Sequence, residues 1–214
     1  MLKGLVNILA LVLVLPAAAT CWLESVLSPD AEGVFVFWTQ CVAVLPGHPG
    51  MYVRRAFYRL TLESSSLKCF IGFGALFAHR TAQVEDDVYI GPYTVIGSIR
   101  LRKGCLIGTR ANLLSGSMQH VVGPDGGWQP GDPPYLAGIE IGQHAWIGEA
   151  ALIMATVGEA SVVSAGAVVS APVAAGVVVA GNPARFVRRV RLETPPAETN
   201  PDERGRESFV SFIH

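Results

Sequence analysis

Two apolar patterns divide this chain. The first is unbroken: Gly4 to Leu23, GLVNILALVLVLPAAATCWL, carries no charge. As a helix it would reach about 30 Å, one hydrocarbon core, and Pro16 within it predicts a bend or a break. A second uncharged run, Val34 to Gly47, is too short to cross a bilayer alone. Together the runs predict a shallow or re-entrant helical hairpin. Tyr52 to Leu62 follows as an interfacial helix, with Arg54, Arg55 and Arg59 on one side and Val53, Phe57 and Leu60 near the other. The turn between the runs holds Glu24, Asp30 and Glu32 with no basic partner nearby in sequence.

The second pattern has a period of six. IGFGAL begins at Ile71, followed by FAHRTA, VEDDVY, IGPYTV, LRKGCL, IGTRAN and LLSGSM, and later by IGQHAW, IGEAAL, VGEASV and VSAGAV. One residue slips before Val84, and shortened units open at Ile96 and Ile153. The first place is aliphatic in nearly every unit and the second is often Gly. The fifth is small or compact, from Ala75, Thr81, Val88 and Thr94 to Ala167. A period of six reads as one short extended segment and one turn per unit, three units closing a triangular coil of 18 residues. First-place residues point into the prism and stack coil on coil, each burial contributing roughly 1.5–3 kcal/mol. The second-place Gly suits a tight corner. Cys105, and Cys69 at the equivalent place before Ile71, should fill the core along one edge, two coils apart.

The expected fold is mainly β: a parallel β-helix over residues 69–189, a hydrophobic helical region over 1–68, and a tail over 190–214. The hexads stop at Gln119 and resume near Ile139. The insertion between, 119–138, is rich in Gly and Pro and cannot continue a coil. A loop leaving a rigid prism is where function tends to be carried.

Composition narrows this reading. The 214 residues are half hydrophobic and only 15% charged, and the net charge of −1 gives no global attraction to nucleic acid. The four cysteines form no CxxC pair, so neither a disulfide framework nor a zinc scaffold is expected. The N-terminal run has three readings: a cleaved export signal ending near Thr20, a retained hairpin, or a buried hairpin of a soluble protein. The retained hairpin is favoured, because Lys3 and the arginines after it then lie on one side, as the positive-inside rule requires.

The hexads together with AWIG at Ala145–Gly148, VVSAGAVVS at Val162–Ser170 and VVAGNPARFVRR at Val178–Arg189 resemble the hexapeptide-repeat acyltransferases. The N-terminal third resembles their membrane-associated members in polysaccharide and glycolipid pathways. The resemblance implies a left-handed parallel β-helix working as a homotrimer with acetyl-CoA as cosubstrate and no metal. It implies an O-acyltransferase acting on a sugar hydroxyl, on a lipid-linked or polysaccharide precursor, at the cytosolic face of the cytoplasmic membrane. His120, at the start of the expelled loop, is the implied general base; imidazole titrates near neutrality and suits that role. Ala165, Gly181, Asn182, Pro183, Arg185 and Arg188, with Arg189, are implied at the coenzyme. The arginines would supply planar donors for phosphates. Asn112, Gln119 and Trp146 are candidates for the acceptor side.

Two other functions fit the same prism. A β-helical zinc hydratase of the carbonic anhydrase type would need three histidines, here His79, His120 and His144. A non-catalytic trimeric membrane scaffold would need none. His79 is expected to be solvated, and His144, at a variable fourth place, to face outward.

Overall fold

The structure is a computed structural model that describes residues 2–116, 120–130 and 138–191. Its larger part is a parallel β-solenoid of about five turns, built from two- and three-residue strands on three faces. On the first face Ser65, Val84, Leu101, Ile141, Val157 and Val173 stack in register. The second face stacks Ile71, Ile90, Ile107, Ile147, Val163 and Val179. The third stacks Phe77, Ile96, Leu113, Ile153 and Val169. These are the first-place residues of the hexads, and from Ile71 to Leu113 and from Ile141 to Ile153 they are buried almost completely. The coils are not uniform: Ile71 meets Ile90, Ile90 meets Ile107 and Ile147 meets Val163, steps of 19, 17 and 16 residues. The corners absorb the difference. At the slip before Val84 the inward fifth place passes from Thr81, which is exposed, to Ala82, which is buried.

Two corner positions do different jobs, and the tight turn is not at the second-place Gly. The fourth place takes the left-handed backbone, with positive φ at Gly74, Asp87, Tyr93, Gly104, Arg110, His144, Ala150 and Ala160. Second-place glycines are needed for space. A Cβ at Gly108 would stand 2.6 Å from the Glu149 nitrogen in the next coil, and one at Gly148 would stand 2.5 Å from that of Ala165. Coils packed at strand spacing leave no room there for a side chain.

Three helices close the N-terminal end: α1 (Leu2–Leu27), α2 (Gly33–Ala43) and α3 (Gly47–Thr61). Pro16 does not end α1, which runs through it. The proline faces outward, while Ala10, Val14, Ala17, Ala18 and Cys21 form a buried stripe on the other side. α1 packs chiefly along α3, and that packing holds the helix across the missing N–H.

The arginines of α3 do not form a free cationic side. Ala56, Phe57 and Tyr58 are fully buried, and Tyr58 meets Phe77 of the first coil edge-on at 4.6 Å. Arg54 turns inward, Arg55 is half-buried and Arg59 is exposed. Arg54, 1% exposed, donates to the carbonyls of Leu45 at 2.6 Å and Ile71 at 3.0 Å, with longer bonds to Val42 and Ala43. It therefore caps the end of α2 and ties it to the solenoid. Arg55 reaches Asn7 and the Cys69 carbonyl, and Arg59 the Ser65 carbonyl.

The acidic turn likewise finds its partners far away in sequence. Glu24 accepts from the first amides of α2, Val34 and Phe35. Glu32 accepts from His79 Nδ1 at 2.7 Å and from the Arg80 backbone N–H at 2.8 Å. Arg80 also donates to the carbonyls of Cys21 and Ala31. Burial pushes the Glu32 carboxyl up, but these hydrogen bonds and the His79 and Arg80 charges outweigh it and hold its pKa below the ordinary value.

Candidate functional site

The insertion leaves the solenoid after Leu113, at the corner between the third and first faces. It does not disturb the stack, since Leu101 below it pairs directly with Ile141 above. Part of it is ordered by its own backbone. His120–Val122 pairs antiparallel with Trp128–Pro130, and the turn is closed by Gly123 N–H to the Gly127 carbonyl and by Asp125 Oδ1 accepting from Gly127. His120 opens this ribbon. Val122 and Trp128 face each other across it, and both are exposed, Trp128 at 77%. Gln119 lies outside the described residues.

Asn112 sits on the outer side of the third face, exposed, its amide donating to the Arg110 carbonyl. Trp146 is on the outer side of the second face, 48% exposed, between Leu106 and Val162. The two lie on neighbouring faces, one coil apart.

The coenzyme candidates gather at the C-terminal end. The second face ends in Val177–Ala180; Gly181, with φ of 94°, starts the turn, and the Asn182–Pro183 bond is cis. The returning strand Arg185–Arg189 pairs antiparallel with Val177–Ala180. Arg185, Arg188 and Arg189 are exposed, and among the described residues none meets a carboxylate. Ala165 lies one coil lower on the same corner as Gly181, exposed. Val168 bonds to the Gly181 carbonyl at 2.9 Å and continues the column Asn112, Leu152, Val168. The turn therefore stands three coil steps, about 14 Å at strand spacing, above the level from which the His120 ribbon departs.

A polar cleft of about 350 Å³ lies on the other side of the ribbon's root. Glu63, Thr81, Gln83, Ser98, Ile99, Arg100 and Gly138 line it. Arg100 Nε donates to Gln83 Oε1 at 2.8 Å, Gln83 Nε2 donates to Glu63 Oε1 at 2.6 Å, and Arg100 stands 3.7 Å from Glu140. Thr81 and Ser98 hydroxyls bond at 2.6 Å. These residues carry no recognisable motif in the sequence. The available signal was the sixth place of the first face, polar at Gln83, Arg100 and Glu140 where the second face carries Phe70, Tyr89, Leu106 and Trp146.

The remaining candidates are placed apart. His79 is held by Glu32 rather than solvated. His144 is exposed at a corner between the first and second faces, its ring over Gly104. Within one chain, His79 and His144 are not brought together. Cys69 and Cys105 are buried in one edge, as expected of fillers, and burial pushes both thiols up to about 12.

No protein-family model and no curated protein matches this sequence. Solved structures do. A maltose O-acetyltransferase from Clostridium difficile 630 superposes with a TM-score of 0.64 at 16% identity, over 75% of this chain and 87% of that one. A hexapeptide-repeat containing acetyltransferase from Vibrio cholerae superposes with a TM-score of 0.55 at 20% identity, over 73% and 89%. At these identities the likeness is one of fold: the chain has the parallel β-solenoid on which both hexapeptide-repeat acetyltransferases are built.

Proposed function

We propose that this chain is an acetyl-CoA-dependent O-acetyltransferase that acylates a sugar hydroxyl on a lipid-linked or polysaccharide precursor. The observation that carries the reading is the arrangement along the third face. A histidine-bearing ribbon leaves its lower part, and an arginine-rich turn closes its upper end about 14 Å away. The exposed arginines, without carboxylate partners among the described residues, suit the phosphates of coenzyme A, with Ala165, Gly181, Asn182 and Pro183 along the arm. Acetyl-CoA supplies a thioester carbonyl. His120 would take the proton of the attacking hydroxyl and return it to the departing thiolate. Asn112, Gln119 and Trp146 would border the acceptor. The fold's use for sugar acetylation in the maltose O-acetyltransferase agrees with this reading.

The outward residues of the second and third faces are mostly apolar, and Phe70 stacks on Tyr89 with ring centres 4.8 Å apart. Such faces suit a homotrimer in which the ribbon's Val122 and Trp128 rest on a neighbour; fully active protein with the light-scattering mass of one chain would contradict it. α1 is long and apolar enough to cross a membrane, but polar tethers at Asn7, Thr20 and Glu24 fasten it to the rest of the cap. It is better read as lying in the membrane surface, with Leu9, Leu13, Trp22 and Leu27 exposed toward lipid. Acetyl-CoA is cytosolic, so this reading would have the solenoid on that side. Release by carbonate would contradict the attachment.

The coenzyme site is tested by calorimetric titration with coenzyme A. Arg185→Ala together with Arg188→Ala should weaken binding at least about tenfold, and added salt should narrow the difference. Equal affinities would remove this turn from the site.

A further inference from the structure

The polar cleft on the first face shares no residue with the proposed coenzyme site. Its position and chemistry indicate what it holds. Ser98 lines it, and the Ser98 backbone N–H is bound by Ser115 Oγ at 2.8 Å, just before the insertion departs. Gly138 lines it where the chain returns. Both roots of the insertion therefore frame the cleft. At the other end, Glu63 follows α3 after its cap residue Leu62.

The lining groups alternate donors and acceptors: the Glu63 carboxylate, the Thr81 and Ser98 hydroxyls, the Gln83 amide and the Arg100 guanidinium. Positive charge is not in excess, because Arg100 is faced by Glu140 while the Glu63 carboxylate is bonded only to the neutral Gln83 amide. An anion would need uncompensated positive charge, so a phosphate or a coenzyme pyrophosphate is disfavoured. A neutral polyhydroxylated ligand can replace the cleft's own side-chain bonds one for one. The outward side chains here are the polar exception on a solenoid whose other two faces are mostly apolar outside.

We propose that this cleft is the subsite for the sugar of the acceptor, with Gln83 and Arg100 as its specificity-determining residues. The proposal rests on the acetyltransferase reading and adds a second set of acceptor contacts beside Asn112, Gln119 and Trp146. Glu63 links the cleft to α3, against which α1 packs, so a sugar on a lipid carrier would approach it from the end of the cap.

Saturation-transfer NMR on the full chain in detergent tests this, using maltose as a free sugar and decyl maltoside as its lipid-tailed counterpart. Both should give a saturable sugar-proton signal, with half-saturation at lower concentration for the tailed probe. Gln83→Ala and Arg100→Ala should each raise the half-saturation concentration about tenfold, while coenzyme A affinity and thermal midpoint stay close to wild type. Undiminished sugar signals in both variants, or no signal from either probe in the wild type, would overturn the proposal. Acetyl transfer, measured separately with labelled acetyl-CoA and membrane extract, separates the two readings. A chain that transfers acetyl but binds sugar independently of Gln83 and Arg100 keeps the activity and loses the cleft. One that binds sugar through the cleft but transfers nothing does the reverse.

Discussion

Gly108 and Gly166 are both corner glycines, yet they are glycine for different reasons. At Gly108 a Cβ would meet the backbone of the coil above, 2.6 Å from the Glu149 nitrogen, whereas at Gly166 there is open space but a φ of 68°. Backbone cannot move aside as a flexible side chain can, so Gly108→Ala should destabilise by at least about 2 kcal/mol. Gly166→Ala meets only the left-handed penalty of about 1 kcal/mol. Urea unfolding of the detergent-solubilised chain distinguishes them, and equal losses would show that the second place is governed by conformation after all. This is also where the sequence was least informative about residues. A repeated Gly is visible in the hexads, but whether it serves φ or space depends on what lies one coil away.

At the scale of elements, the solenoid was readable and the cap was not. Each coil presents nearly the same environment, so Ile71, Ile90, Ile107 and Ile147 mark it repeatedly, and even the insertion leaves the stack intact. The cap depends on single contacts across long separations: Arg54 to Ile71, Arg55 to Asn7, Glu32 to His79 and Arg80. No period announces these, and an arginine cluster beside apolar helices reads equally as a membrane-facing group. The Glu32 contact makes a prediction in pH. Its native pKa is depressed, so its contribution is fully present above roughly pH 4.5, the unfolded range, and is lost as pH falls through the lower native value. Trp38, bonded to Thr20 of α1, should report that loosening by fluorescence, and Glu32→Gln should remove the acid step by loosening the turn already at neutral pH. An unchanged acid profile in Glu32→Gln would place the transition elsewhere.

At the scale of the molecule, the helical cap, the polar cleft, the His120 ribbon and the arginine-rich turn follow one another along the solenoid. Membrane, acceptor, base and coenzyme would then be met in that order. The ribbon and the turn were legible as candidates because each interrupts or ends a regular repeat. The cleft was not, because its residues come from coils 17 or more positions apart, as Gln83 and Arg100 do, and none is unusual by itself. In the proposed activity, what joins these parts is proton removal by His120. Labelled acetyl transfer from acetyl-CoA to membrane extract, compared between wild type and His120→Ala with coenzyme A affinity measured alongside, tests that most directly. The rate should fall by about 10²–10⁴ with affinity unchanged; retention of more than about a third of the wild-type rate would contradict it.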